Sequence, residues 1–442
     1  MVRDFFLASG LLMSTASQLR PGTSPIGMGE LCLVVWSLMK AMRQITPGGP
    51  TLTPALSVLL RFWGVFALAE TIGFLTGLML DVKTDPQWLL HDILAYPLVA
   101  AVSCLLALET TVRIQRAAWL LAVLGTIALT VQLAAAAGLV RIGSMEPWYW
   151  DRLRGWSSNP NQLALLCAAL TLNGVHLADT AIGHPGRFAA LACAVLAAVV
   201  GRMTGSDTFT LMLGASGLTY MALKLGIWLR MPTQTLRPRV AFALIAVVGL
   251  PTLASAAVPA FLSMSAQSGN LAMGLMKNGG KDAHEEADLR FALWQQAIER
   301  GLESGALGLG PGPHLAIPSL LVNARASEAD APGNIQHPQN NGAPNFEAHN
   351  TILDLFVQGG LLADVSFLWL LGSAFTSGCR GRLAGLATML GCLTFFGMTN
   401  LIIRQPLFWF AIVSCLAAGG ARVSAATTPG ARLDHKRSTV MV

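Results

Sequence analysis

Charge is what this chain has least of. Asp, Glu, Lys and Arg make up 12% of its 442 residues, where a soluble domain carries about 25%. So few charges cannot cover the surface of a water-soluble protein of this length. Cytosolic enzymes, nucleic-acid readers and disordered regulators are excluded on that ground. Cysteine pattern is the second absence. Cys32, Cys104, Cys167, Cys193, Cys379, Cys392 and Cys415 lie apart, none in the longest polar segment and no two as CxxC. That excludes a disulfide frame and a zinc site, and leaves them as apolar filler inside helices.

What is present is apolar sequence: 53% hydrophobic residues and a mean hydropathy of +0.57. A span needs roughly 20 apolar residues. Twelve candidate spans are read at 5–19, 28–43, 55–80, 91–108, 117–140, 161–178, 187–201, 208–229, 239–262, 350–375, 383–399 and 402–420. The expected fold is an all-α polytopic bundle. Its parts are nine spans in 1–262, a large outer segment 263–349 with an amphipathic helix, three spans in 350–420 and a cytoplasmic tail 421–442. Asp4 in the charged flank, with no small-x-small cleavage site, reads against a cleaved signal peptide. The 44 glycines suit closely packed membrane helices.

Orientation follows from Lys and Arg, which collect on cytoplasmic loops. With the N-terminus inside, most of the 29 fall on inner segments, both termini are cytoplasmic and 263–349 faces outward. Within the outer minority, Lys83, Arg152, Arg154, Arg202 and Arg290 stand out on the depleted side. Singly each reads as a headgroup anchor; together they suit a basic cavity for a phosphate-bearing ligand. Within the spans, Arg61 can snorkel, and Glu70 near a span centre needs a partner or a proton. Glu30, Glu109, His176 and Asp364 read as structural.

In the outer segment, Ala283 to Arg300 has helical periodicity, with Leu289, Leu293, Ala297 and the adjoining Phe291, Trp294 and Ile298 on an apolar side. Asp282, Glu285, Glu286 and Asp288 suit its start and Gly301 its stop. It is expected to lie on the outer leaflet or cap the bundle. A Gly- and Pro-rich turn follows from 305 to 314; no GK[ST] follows it, so it is not a phosphate loop. Residues 318–346 are expected to form a mobile loop. Glu347, His349 and Asn350 then lead into an apolar helix containing Gly359 and Gly360. A histidine at a helix start is more often a cap or interface residue than a catalyst.

These residues, in this order, carry a resemblance. Arg290 and Trp294, then Gly308, Gly310 and Gly312, then a long polar loop, then His349 and Asn350 before a Gly359–Gly360 helix, resemble the O-antigen ligase and O-antigen polymerase superfamily. Arg152, Gly155, Asn159, Pro160 and Asn161 resemble its motif at the start of a span. One departure stands out: where that family often has Thr-Gly-Ser-Arg, this chain has Thr204, Gly205, Ser206 and Asp207. Arg202 is the nearby candidate to supply the missing charge.

The resemblance implies glycosyl transfer at the outer face of a bacterial inner membrane. The donor would be a polyprenyl-diphosphate-linked glycan, and the acceptor a hydroxyl on another glycan or on a lipid A core. Membrane lipids are implied partners; nucleic acid is not. Family members are regarded as metal-independent and inverting, and no cofactor is implied; the outer segment has no Asp-x-Asp. Such chemistry needs cations to hold the leaving diphosphate and a base for the acceptor hydroxyl. Arg290 and Arg152, with Lys83, Arg202 and Arg154, fit the first need. His349 fits the second, with Asn350, Asn161 and Glu347 in support. The competing class is a transporter or flippase for lipid-linked sugars, but the sequence shows no internal repeat of the kind many transporters have.

Overall fold

The computed structural model describes residues 2–19, 26–44, 52–82, 86–143, 145–149, 152–229, 290–316 and 345–427. The expected span 239–262, Lys83, Leu289, the acidic start of the amphipathic helix, the loop residues 318–344 and the tail beyond 427 lie outside them. The helices are α1 Val2–Met13, α2 Met28–Gln44, α3 Pro54–Met79, α4 Pro86–Leu106, α5 Thr111–Ala136, α6 Pro160–Thr180, α7 His184–Met203 and α8 Asp207–Leu229. After α9, residues 290–303, come α10 Thr351–Arg380, α11 Ala384–Phe396 and α12 Pro406–Thr427. Among the described residues seven helices (α3 to α8 and α10) are long and apolar enough to cross a membrane. This is a polytopic helical membrane protein.

Local chemistry sets the helix ends. Thr53 Oγ1 accepts from the Leu56 N–H with Pro54 at the first position, and Asn159 caps α6 ahead of Pro160. Such caps satisfy N–H groups that a helix start leaves open. α5 was expected over 117–140; it starts and stops earlier. Gly138, at φ +74°, ends it by a Schellman motif in which Leu139 N–H donates to the Ala134 carbonyl and Gly138 N–H to Ala135. The first expected span, 5–19, is a twelve-residue α1 followed by a 3-10 turn at Ser17–Leu19.

Packing centres on α6, buried along most of its length. It lies against α7 and α11, while α10 packs against α3 and α12, and α1 against α2 and α5. Exposed Leu68, Phe74, Leu75 and Leu78 on α3 and Val195 and Val199 on α7 face where lipid would be.

Four further expectations are corrected. Gly301 does not stop α9. It lies within it, where the Phe356 ring leaves no space for a Cβ. The stop is Gly305, with Ala306 N–H on the Gly301 carbonyl and Gly305 N–H on Leu302. The span at 350–375 is broken at Gly360, whose φ is +65° and ψ −165°. The all-α reading omits two short antiparallel ladders. β1 Trp148–Tyr149 pairs with β2 Arg152–Leu153, and β3 Leu315–Ala316 with β4 Asn345–Phe346. The last two residues of the expected mobile loop are therefore strand.

Candidate active site

The Gly-rich turn is a structural joint. Released backbone groups at the α10 break meet the turn directly: Leu309 N–H donates to the Val357 carbonyl and Gly310 N–H to Gln358, each at 2.8 Å, while Leu361 N–H donates to Ala306 at 3.1 Å. The turn is sandwiched against α3. A Cβ at Gly308 would strike the Gln358 carbonyl and one at Gly73 the same oxygen. Backbones approach this closely only where side chains are absent. His314 Nε2 donates to the Gly310 carbonyl at 2.7 Å; burial lowers its pKa below the usual histidine value, so it braces the turn as neutral imidazole.

Over this joint lies α9. Its Leu293 and Ala297 are buried with Leu309, Leu315, Ala348 and Val357, whereas Phe291, Ile298 and Leu302 are exposed. α9 thus caps the end of the bundle with one stripe and leaves a second apolar stripe outward. Arg290, half-buried at its first described residue, belongs to the stripe that packs beside Ala348.

The next residue after Ala348 is His349, half-buried and left-handed at φ +51°. Histidine is one of the few side chains found there with any frequency, and the conformation still needs support from its surroundings. Asp354 gives that support. Its Oδ1 accepts from Ala348 N–H at 2.7 Å and its Oδ2 from Asn350 N–H at 3.2 Å, clamping the backbone on both sides of His349. Asn350 Oδ1 caps α10 by accepting from Ile352 and Leu353 N–H. Thr351 ties this start to the α11–α12 connection, donating from Oγ1 to the Asn400 carbonyl and accepting from Ile402 N–H.

That connection delivers Arg404 to Glu347. The guanidinium donates from Nη1 to Glu347 Oε1 at 2.8 Å and from Nη2 to Asp92 Oδ2 at 2.8 Å, and its Nε lies 2.7 Å from Asp92 Oδ1 in the same ion pair. Asp92 is fully buried. Burial would raise the Glu347 pKa, but Arg404 outweighs it, with His349 and His91 adding to the effect, and the carboxyl is held below its usual range. Burial likewise opposes the Arg404 charge, and Glu347 and Asp92 reverse it, so its pKa is raised. Alongside, Tyr96 donates to Gln358 Oε1 at 2.6 Å, and Gln358 Nε2 to the Gly312 carbonyl at 3.2 Å.

Glu347 and Arg404 line a cavity of about 440 Å³. Its polar lining includes Ser17, Ser158, Gln162, His91 and Gln405; its apolar lining includes Ile26, Val34, Leu94, Leu98 and Val99. A cavity lined by both polar and apolar side chains suits an amphipathic ligand.

The nominated residues that the structure describes fall into four places. Glu347, His349 and Asn350 stand together at the α10 start, with Arg290 on the helix that covers it. Arg152 and Arg202 meet at the α7–α8 turn: Arg152 Nε donates to the Thr204 carbonyl at 3.1 Å and lies against Gly205, and Arg202 reaches Thr210. Arg154 is buried on Glu146, donating from Nε to its carbonyl at 3.0 Å with its carboxylate 3.6 Å from Nη2. Asn161 sits in the first turn of α6, its N–H taken by Asn159, while neighbouring Ser158 and Gln162 reach the cavity. Lys83 is outside the described residues. Asp92, Arg404 and Asp354 were not nominated. Only Asp354, an acid in a first helical turn, carried a signal. Among the described residues no three His, Cys, Asp or Glu side chains come together as metal ligands.

Residues 192–368 match the family model described as O-Antigen ligase. The match takes in Arg202, Arg290, the Gly-rich joint, His349 and the α10 break; the Arg152 to Asn161 motif precedes it. No curated protein and no solved structure matches the chain. The Gly-rich joint, the clamped His349 and the α10 break fall in one stretch, and over that stretch the chain is similar to the O-antigen ligase family.

Proposed function

We propose that this protein is a bacterial inner-membrane glycosyltransferase of the ligase or polymerase type. It moves a glycan from a polyprenyl-diphosphate carrier to a hydroxyl of an acceptor sugar, on a lipid A core or on another lipid-linked glycan. The site faces the periplasm and both termini are cytoplasmic. The observation that carries the reading is His349: a left-handed histidine locked by Asp354, next to Glu347 on the wall of the cavity lined by both polar and apolar side chains.

His349 takes the proton of the acceptor hydroxyl as that oxygen bonds to the anomeric carbon. The bond from that carbon to the diphosphate oxygen breaks, and its electron pair leaves with the carrier diphosphate. Arg290 grips the departing oxygens in a bidentate fork, while Arg152 and Arg202 at the α7–α8 turn, with Lys83, supply further positive field. Arg154, committed to Glu146, holds the β1–β2 hairpin and is not placed in the clamp. Glu347 and Asn350 fix the segment that carries the imidazole.

The test is transfer in proteoliposomes with purified donor and acceptor, read by product mass. His349→Ala is expected to lower turnover by about 10²–10⁴-fold, the usual worth of a general base. Wild-type turnover in that variant would sink the assignment. Donor that crosses the membrane chemically unaltered would favour the transporter class instead.

A further inference from the structure

A second cavity, of about 310 Å³, opens at the other end of the bundle. α6 shows the opposition: Gln162 in its first turn lines the cavity beside Glu347, and His176 and Thr180 near its end line this one. α12 repeats it, from Pro406 at the first to Ser414, Ala418 and Arg422 at the second. Residues of the α5 start, Thr111, Ile114 and Gln115, and of the α11 start, Leu383 and Leu386, complete the wall.

Four features of this cavity call for an anion. The α5 and α11 N-termini converge on it, and neither cap residue, Thr110 or Leu383, makes a side-chain cap hydrogen bond. Each leaves N–H groups and a positive helix end directed there. The Arg422 guanidinium stands at the rim. Two buried polar groups of the wall, His176 Nδ1 and Ser414 Oγ, have no hydrogen-bond partner among the described residues, and their residues are 8% and 1% exposed. Such groups are costly unless something satisfies them. The nearby carboxylates are engaged elsewhere: Asp179 with Lys224 and Tyr220, and Glu109 with Arg3 and Lys40. Ile114, Leu383, Leu386 and Phe410 make the rest of the wall apolar. The ligand that fits is anionic at one end and apolar at the other.

We propose that this cavity is a binding site for the phosphate of an acidic phospholipid headgroup, drawn from the leaflet opposite the one that borders His349. Arg422 and the two helix N-termini hold the phosphate oxygens, Ser414 and His176 donate or accept at its buried side, and an acyl chain lies along Phe410 and Leu386. The site is separate from the transfer chemistry, so its occupancy is read with no glycan present.

The full chain, in detergent, is offered phosphatidylglycerol or phosphatidylcholine, and retained lipid is counted by native mass spectrometry. The wild type is expected to retain phosphatidylglycerol about tenfold better, the size of one charge-assisted hydrogen bond. Arg422→Gln and, separately, Ser414→Ala are expected to remove most of that preference at unchanged thermal midpoint. A parallel arm measures the midpoint against inorganic phosphate alone. A rise with phosphate, lost in Arg422→Gln, supports the same site and assigns it to a soluble phosphate. Equal retention of the two lipids with no response to phosphate, or a preference that survives both substitutions, overturns the proposal.

Discussion

Two charged knots, one at each end of the bundle, are near mirror images. At one end a single acid, Glu109, is held by cations from three helices: Arg3 at 2.6 Å, Lys40 at 3.2 Å and, more loosely, Arg113 at 3.9 Å. At the other a single cation, Arg404, is held by acids from two segments, Asp92 and Glu347. Both are buried and both join elements distant in sequence. They differ in what they adjoin. The Glu109 knot fastens α1 and α2 to the α5 start, and none of its members lines either cavity described above. The Arg404 knot is itself cavity wall, and one of its members is two residues from His349. A buried ion pair is weak evidence for stability; what separates a fastening from a functional wall is the open space beside it.

Breaking the cation of the Arg404 knot is the harshest test of that difference. Arg404→Met leaves Asp92 and Glu347 buried without their partner, a loss of about 3–5 kcal/mol for a buried pair, and is expected to abolish transfer. Glu109→Gln also removes the hub of a buried knot, yet is expected to keep wild-type transfer per folded molecule. Unfolding in detergent and initial transfer rates, normalised to folded protein, decide it. If the two variants lose transfer equally, the knots do not differ in kind.

The contrast also marks what the sequence makes legible. Among the described residues helix existence was readable, because apolar runs are local signals. So was the position of His349 at the polar edge of an apolar helix. Arg404 was not recognisable as a member of the site. Its partner Asp92 is 312 residues away, and no local pattern announces that pairing. The Gly308, Gly310 and Gly312 turn was readable as a turn, but not as a joint, because its need for glycine comes from Gly73 on α3 and the broken backbone at Gly360. Gly301 misled for the same reason: its lack of a side chain serves the Phe356 ring rather than a helix end.

A milder intervention keeps both knots and loosens only the histidine. Asp354→Asn retains one carbonyl acceptor but presents an NH₂ to one of the two N–H groups that the carboxylate now satisfies. The left-handed turn at His349 loses half its clamp. Turnover is expected to fall by about 10²-fold, as for a small misplacement of a catalytic group, with KM unchanged and the thermal midpoint little moved. A rise in KM with turnover intact would make Asp354 part of the substrate wall and not the support of the histidine.

The smallest effect concerns the Arg404 knot's own titration. Arg404 holds the Glu347 carboxyl below its usual range in the folded protein, so the fold favours the charged form. The resulting stabilisation is complete above about pH 4.3, the ordinary glutamate value, and is lost as pH falls through the lowered folded value. Glu347→Gln has no such term. The thermal midpoints of wild type and variant are therefore expected to differ by a constant amount from neutral pH down to the ordinary glutamate value and to converge below it. Midpoints that stay apart at still lower pH would show that Glu347 acts by packing and hydrogen bonding alone, and the Arg404 knot would then owe its stability to Asp92.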